Sequence, residues 1–285
     1  MDLIIKPTEL CNFKCTFCSS TQLTNEKKNW LKHDQIFRFL ERFPETKTII
    51  VNGGDPLMME PNYYWKIIEW LDNKGYDTSL ALTTNLWPFY KKPSRWVDLF
   101  NNERVGVTTS FQYGGGRLKG DYTEFTEEDF WKCSDAMLEY CGYRPDFISV
   151  ITEENVHNAV KNVRLAKQMS NYEEPEGTLD ALNKENKIGV ECKLNYAMAS
   201  GEQKIMGRKF NKNELKKLND WLEECAEQGG GYRPTLIVDS DNEKDYSLAE
   251  KGESIINNYE SNGVIYAASF AAENNMDLDL IYEAW

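Results

Sequence analysis

Residues 10–18 read LCNFKCTFC and place three cysteines, Cys11, Cys15 and Cys18, within eight positions. They follow a short apolar run that is typical of a β-strand. Three thiols this close together on one loop can converge on one metal centre, and thiolates are the usual ligands of iron–sulfur clusters. A closed structural zinc site takes four ligands, but no cysteine follows until Cys133 and no histidine lies nearby. The loop therefore predicts a metal centre with one open position for a small molecule.

The cysteine spacing resembles the signature of the radical S-adenosylmethionine (radical SAM) enzymes. In that family the three cysteines hold a [4Fe–4S] cluster, and its fourth iron binds the amino and carboxylate groups of S-adenosylmethionine (SAM). The resemblance makes Cys11, Cys15 and Cys18 the expected metal ligands. The aromatic residue before the third cysteine, here Phe17, lies against the adenine in the family. A zinc loop of reduced thiols and an incidental cysteine cluster are the alternatives, and later segments that match the same family in order favour the iron–sulfur cluster.

The segments that end the second and third predicted strands resemble family segments that face SAM. Residues 53–56, Gly-Gly-Asp-Pro, resemble the glycine-glycine-glutamate-proline segment that holds the SAM amino group, with Asp55 in place of the usual glutamate. Two glycines at the carboxyl end of a strand let the backbone approach a ligand closely, although a tight turn alone would also explain them. Residues 83–85, Thr-Thr-Asn, resemble the segment that faces the ribose and methionine parts of SAM.

The end of the fourth predicted strand resembles a serine-leucine-aspartate-glycine segment. This segment marks the subgroup that includes peptide maturases and the molybdenum-cofactor cyclase. Ser110 matches the serine, whereas Gln112 stands where aspartate is usual. Nearby Arg117 can pair with the SAM carboxylate, because a guanidinium group suits a carboxylate; an exposed loop arginine is the alternative. The resemblance thus implies, besides Phe17, a set of SAM-binding residues: Gly53, Gly54, Asp55, Pro56, Thr84, Asn85, Ser110, Arg117 and Asn195.

The sixth predicted strand carries an unusual polar face. Glu191, Lys193 and Asn195 alternate with apolar residues, and a strand places every second side chain on the same face. Charged residues on a buried strand are rare unless that face lines a polar lumen. In that arrangement Asn195 lies near the adenosyl group. Glu191 and Lys193, the candidate catalytic residues, lie nearer the substrate, and a solvated edge strand is the alternative.

Short β-like runs alternate with amphipathic helical stretches over the first two thirds of the chain, with the first run at Leu3–Pro7 and the sixth at Lys187–Tyr196. We also predict a polar loop at 171–186, a helix at 213–228 and strands at 235–238 and 264–270. This alternation predicts a parallel sheet covered by helices. The fold class is α/β, a partial (β/α)6 barrel of TIM type, because six units are fewer than the eight of a closed barrel. We assign residues 1–228 to this core and residues 229–285 to a small α+β appendage. The appendage resembles a degenerate SPASM or twitch domain, with alanine at 267 and 268 where a cysteine would bind an auxiliary cluster, so one cluster is expected.

Composition limits the partners and the compartment. Apolar residues make up 41% of the 285 positions, which is enough for a folded core. The net charge of −13 makes a nucleic-acid partner unlikely, since such proteins use basic surfaces. No stretch has the roughly 20 apolar residues of a membrane span, and no signal peptide is evident. The seven cysteines show no disulfide pattern, so we predict a cytoplasmic protein without a membrane partner.

The resemblance implies a radical reaction. In the family, the reduced cluster gives an electron to the SAM sulfonium, and the 5′-deoxyadenosyl radical takes a hydrogen atom from a substrate carbon. A low-potential electron donor such as flavodoxin or ferredoxin is the implied partner. A peptide is the first predicted substrate. A small molecule (an amino sugar, nucleoside or amino acid) is the second, because the chain begins at the first strand and leaves no room for a leader-binding domain. Activation of a glycyl-radical enzyme, and non-catalytic binding of SAM or a metal, are alternatives from other classes.

Overall fold

A parallel sheet forms the centre of the protein. A computed structural model of the chain describes residues 2–18, 30–151, 155–170 and 189–196, and the backbone of two short strands at 232–233 and 281–282. Six strands lie side by side in chain order and pair in parallel with their neighbours: β1 (Asp2–Ile5), β2 (Thr48–Val51), β3 (Ser79–Thr83), β4 (Val105–Ser110), β5 (Phe147–Ile151) and β6 (Cys192–Tyr196). The sheet is open, which confirms the predicted partial barrel.

Helices connect the strands, as the alternating pattern predicts. They are α1 (His33–Arg42), α2 (Pro61–Lys74), α3 (Trp87–Lys91), α4 (Val97–Phe100), α5 (Glu127–Cys141) and α6 (Ala159–Ser170). The short helix α3 was not predicted; its five residues are too few to show a helical period. The first strand ends at Ile5 instead of the predicted Pro7. Proline has no backbone N–H to add to a sheet.

The two faces of the sheet differ in polarity. On the face that packs against the helices, alternate residues of β3 and β4 are buried, and Phe147 of β5 lies 5.1 Å from the Phe130 ring of α5. The opposite face carries partly exposed hydroxyl groups, and the Thr83 and Thr108 hydroxyls lie 3.0 Å apart there. We call this second face the polar face.

Two short strands extend the edges of this sheet. β7 (Tyr232–Arg233) pairs in parallel with β6, and β8 (Ile281–Tyr282) pairs antiparallel with β1. The predicted boundary between residues 228 and 229 lies outside the described residues. So do the predicted loop at 171–186, the helix at 213–228, and the strands at 235–238 and 264–270. No helix in the part of the chain that the structure describes is long and apolar enough to cross a membrane.

Candidate active site

The loop that carries the three cysteines follows β1 and is held by the end of β2. The backbone N–H of Gly54 donates to the carbonyl of Thr8 at 2.9 Å, and that of Asp55 donates to the carbonyl of Leu10 at 2.8 Å. A Cβ atom on Gly54 would lie 2.1 Å from the Leu10 carbonyl oxygen, so only glycine fits there. The double glycine, predicted to approach SAM, thus also holds the residues just before Cys11.

A second segment holds the other side of the cysteine loop. Residues 113–125, which connect β4 to α5, run along the loop, and we call them the strap. The N–H of Lys14 donates to the Leu118 carbonyl at 2.7 Å, and the N–H of Thr16 donates to the Gly116 carbonyl at 2.8 Å. The strap closes on itself through a bridge between residues 118 and 124. The cysteine loop is therefore fixed by backbone hydrogen bonds on both sides.

The three thiols differ in exposure. Cys15 is buried, Cys11 is half-buried and Cys18 is exposed. Among the described residues, no group of three or more Cys, His, Asp or Glu side chains is close enough together to hold a single metal ion. Sulfurs on one zinc ion, each bound at about 2.3 Å, would have to crowd together. An iron–sulfur cluster separates its thiolates because each binds a different iron, so the donor set fits a cluster better than one ion.

Burial and charge act together on these thiols. Burial raises the pKa of Cys11 well above its ordinary range, and the negative charges of Asp55, Cys15 and Cys18 raise it further. Burial also raises the pKa of Cys15, whereas the positive charge of Arg117 lowers it. Metal binding requires the thiolate and supplies the positive charge that stabilises it. Arg117 thus favours the metal-binding form of Cys15.

Arg117 lies in the strap and is almost fully buried. Its Nη1 donates to the Ser110 hydroxyl at 2.9 Å, and its Nε and Nη2 donate to the Gln112 Oε1 at 3.1 and 2.6 Å. The guanidinium carbon lies 5.2 Å from the centre of the Phe17 ring, within the range of a cation–π contact. The structure therefore brings together three predicted SAM-binding residues, Phe17, Ser110 and Arg117, beside the thiols. The alternative prediction, that Arg117 is an exposed loop residue, is wrong.

Asp55 joins the ends of β2 and β3. Its carboxylate accepts hydrogen bonds from the Leu57 N–H at 2.8 Å, the Thr84 hydroxyl at 2.9 Å and the Asn85 N–H at 2.9 Å. Burial raises its pKa to about 6, although these hydrogen bonds lower it. Asn85 in turn exchanges side-chain hydrogen bonds with Asn12 of the cysteine loop, at 2.8 and 3.3 Å. Both carboxylate oxygens of Asp55 are thus occupied by the chain itself.

We expect Asp55→Ala to destabilise the fold strongly. It leaves the N–H groups of Leu57 and Asn85 and the hydroxyl of Thr84 without their acceptor. Each unsatisfied buried donor costs about 1–3 kcal/mol, so the free energy of unfolding should fall by about 3 kcal/mol or more. Urea unfolding of the metal-free protein measures this directly. Asp34→Ala is the control, because Asp34 pairs with Arg38 on the surface; equal losses in the two variants would contradict the internal role of Asp55.

The predicted polar positions of the sixth strand follow the expected alternation. Val190, Cys192 and Leu194 are buried, whereas Lys193 is exposed. Lys193 pairs in register with Ile148, which pairs with Ser110, so Lys193 shares the polar face with Ser110. Glu191 directly precedes β6 and is partly buried. The backbone of Asn195 pairs with Val150, and its side chain lies outside what the structure describes.

Two features of the site escaped the sequence prediction. They are the backbone hydrogen bonds by which the strap holds the cysteine loop, and the hydrogen bonds that Gln112 accepts from Arg117. Three successive glycines, 114–116, all with positive φ, lie in the strap. Such a run directly after a strand was the one signal that an unusual backbone path begins there.

The sequence model of the Radical SAM superfamily matches residues 5–205. This range holds the cysteine loop, the double glycine and the strap. The chain belongs to the radical SAM superfamily. Enzymes of this superfamily use a [4Fe–4S] cluster and SAM, and the three thiols beside a buried arginine suit both cofactors.

Sequence relatives of this radical SAM enzyme are GTP 3′,8-cyclases. The protein of Mannheimia succiniciproducens is 32% identical over 98 residues, which cover 33% of this chain and 28% of the cyclase. That of Campylobacter lari is 33% identical over 87 residues, or 29% of this chain and 26% of the cyclase. The match thus spans less than a third of the length of these relatives.

Solved structures with the same fold cover more of the chain. The anSMEcpe structure with bound AdoMet and the Cp18Cys peptide has a TM-score of 0.54 at 16% identity, covering 81% of this chain and 62% of that one. Streptococcus suis SuiB bound to its precursor peptide SuiA has a TM-score of 0.55 at 15% identity, covering 84% and 49%. A radical SAM methyltransferase from Sphaerobacter thermophilus has a TM-score of 0.54 at 14% identity, covering 86% and 69%. At these identities the likeness concerns the fold alone.

Proposed function

We propose that this radical SAM enzyme binds its cluster through Cys11, Cys15 and Cys18 and uses it to modify a peptide. The observation that carries the cofactor assignment is the placement of three thiols on one loop, fixed from both sides, next to a buried guanidinium group. When bound, the cluster and SAM supply the radical chemistry. The protein's own residues orient SAM and exclude water.

The named residues divide this work among them. Arg117 is the proposed partner of the SAM carboxylate, with Ser110 holding its guanidinium. Phe17 offers one ring face to the adenine, because its other face lies against Arg117. Asp55 accepts hydrogen bonds from Thr84 and Asn85 and thereby holds both residues in place. In this arrangement the backbone groups of Gly53 and Gly54 lie nearest to the SAM amino group.

The cofactor part is tested by anaerobic reconstitution. We expect the protein to take up about four iron and four sulfide per chain and, after reduction, to convert SAM to 5′-deoxyadenosine. A low-potential flavodoxin or ferredoxin should replace the chemical reductant. Zinc uptake without iron or sulfide would overturn this part of the proposal.

A peptide substrate is supported by the likeness to structures that hold peptides. That likeness spans about four fifths of the chain, whereas the similarity to the cyclases spans about one third. The similarity to the cyclases is the reason to keep a small molecule as the second candidate substrate. Among small molecules, a nucleotide such as GTP should be tested first.

Assays in deuterated water separate the two substrate classes. The enzyme is incubated anaerobically with SAM and reductant, and with either a set of synthetic peptides or GTP and other small molecules. We expect a peptide, and not GTP, to stimulate 5′-deoxyadenosine formation and to change in mass. Turnover of GTP with no effect of any peptide would reject the peptide and favour the second candidate.

Lys193→Met is expected to affect the substrate and not SAM. Lys193 shares the polar face with Ser110 and is exposed there. Loss of a positioning contact costs roughly 10- to 100-fold, so substrate-stimulated 5′-deoxyadenosine formation should fall by at least about tenfold. Formation without substrate should stay within about twofold. Lys132→Met, which removes an exposed lysine of α5 that pairs with Glu128, is the control. If both variants behave alike, Lys193 has no such role.

A further inference from the structure

Gln112 holds Arg117 in place without neutralising it. The single oxygen Oε1 accepts two N–H groups of the guanidinium, at 3.1 and 2.6 Å, and Ser110 accepts a third at 2.9 Å. Gln112 is 3% exposed and Arg117 is 6% exposed, so water contributes little to this arrangement. Both partners of the guanidinium are neutral groups.

The charge of Arg117 is therefore directed at the cysteines. Among the described residues, the titratable groups with which it interacts are the thiols of Cys15, Cys18 and Cys11. A buried cation without a counter-charge is unfavourable. A bound cluster would supply that counter-charge, because cysteine thiolates and sulfides hold its irons.

The other end of the Gln112 amide points to a bound group. Its Nε2 is buried and has no hydrogen-bond partner among the residues that the structure describes. Buried polar groups of native proteins almost always have a partner. An amide N–H next to a guanidinium suits an anionic acceptor. Both cofactors offer such an acceptor, since the cluster has anionic sulfurs and SAM has a carboxylate.

We propose that Gln112 is a positioning residue that keeps the Arg117 charge available to the cluster and to SAM, and thereby sets the reduction potential of the cluster and the affinity for SAM. This inference rests on the proposed cofactor site. Reduction adds one negative charge to the cluster, and a fixed cation nearby makes that step more favourable. The aspartate that is usual here in the resembling subgroup would instead pair with Arg117 and cancel its charge.

Gln112→Glu is the informative variant because it preserves size and both accepted hydrogen bonds but adds a negative charge. With SAM absent, we expect the equilibrium constant for cluster reduction to fall about tenfold, which is a drop of about 59 mV for a one-electron couple. The dissociation constant for SAM should rise about tenfold. An EPR-monitored redox titration measures the first quantity, and equilibrium dialysis with labelled SAM measures the second. Iron and sulfide contents should match those of the unchanged protein.

Two further variants separate charge from position. Gln112→Met removes the acceptor without adding charge; it should weaken SAM binding and leave the reduction potential nearly unchanged. Ser110→Asp places a carboxylate on the other side of the guanidinium, and should lower the potential as Gln112→Glu does. If Gln112→Glu fails to fold, Ser110→Asp still tests the effect of an added negative charge on the reduction potential.

Each outcome bears on one proposal. An unchanged potential and an unchanged SAM affinity in Gln112→Glu would overturn the inference and leave the proposed function standing. Equal potentials in Gln112→Met and Gln112→Glu would overturn the role of charge. Absence of a cluster in the unchanged protein would overturn the proposed function itself, and the inference with it.

Discussion

Replacing Cys15 by alanine is expected to abolish SAM cleavage and leave the fold intact. The backbone N–H groups of Lys14 and Thr16 donate hydrogen bonds that hold this part of the loop, and the substitution leaves both bonds in place. It removes one of the three proposed thiolate ligands. Removing even an outer-shell partner of a metal site costs about 10- to 100-fold, so we expect 5′-deoxyadenosine formation to fall by more than about 100-fold, with a matching loss of iron and sulfide.

The control for this prediction is Cys133→Ala. Cys133 is a fully buried thiol of α5 and lies outside the cysteine loop. Its loss should lower the free energy of unfolding by about 1 kcal/mol and leave iron content and SAM cleavage unchanged. Circular dichroism of both variants checks the fold. If Cys15→Ala still cleaves SAM, the cluster is bound elsewhere in the chain.

The second large effect is expected for Gly54→Ala. The added Cβ would lie 2.1 Å from the Leu10 carbonyl oxygen and 2.4 Å from that of Glu9. These are backbone atoms, which cannot rotate away as a side chain can. The residues before Cys11 must therefore move, and with them the first thiol. We expect the free energy of unfolding to fall by about 2–4 kcal/mol and cluster content after reconstitution to fall by at least about tenfold.

Gly106→Ala is the matched control for Gly54→Ala. Gly106 lies in β4, and a Cβ there would come no closer than 3.9 Å to the Leu80 carbonyl oxygen. Neither glycine has a positive φ, so the two substitutions differ in contact and not in backbone strain. Gly106→Ala should change the free energy of unfolding by less than about 1 kcal/mol and leave the cluster intact. A normal cluster content in Gly54→Ala would show that the double glycine does not position the loop.

The order of strands was predictable because it follows from local pattern. Short apolar runs separated by amphipathic helices specify parallel pairing of successive strands, and β1 to β6 are paired in that order. The polar alternation at the sixth strand was also confirmed for Lys193 and its buried neighbours, since the side-chain period of a strand is fixed. Element ends were less accurate: β6 begins at Cys192, five residues later than predicted.

The roles of single residues were harder to foresee. Asp55 was predicted from resemblance as a SAM-binding residue, and that remains a prediction. The structure adds an internal role, since three donors of the chain occupy its carboxylate. The sequence does not show which partners a side chain will meet, because two of these three donors, Thr84 and Asn85, lie just after β3, about 30 residues later.

The sequence by itself determined the three thiols, their spacing and the parallel sheet that presents them, because each depends on residues close together in the chain. Only the tertiary structure decided what surrounds them. The strap reaches the cysteine loop across about 100 residues, and Arg117 and Gln112 arrive with it. No local pattern encodes that approach, since it depends on how β4 is placed in the sheet and where its connection turns. The charge beside the cluster site is therefore a property of the folded chain.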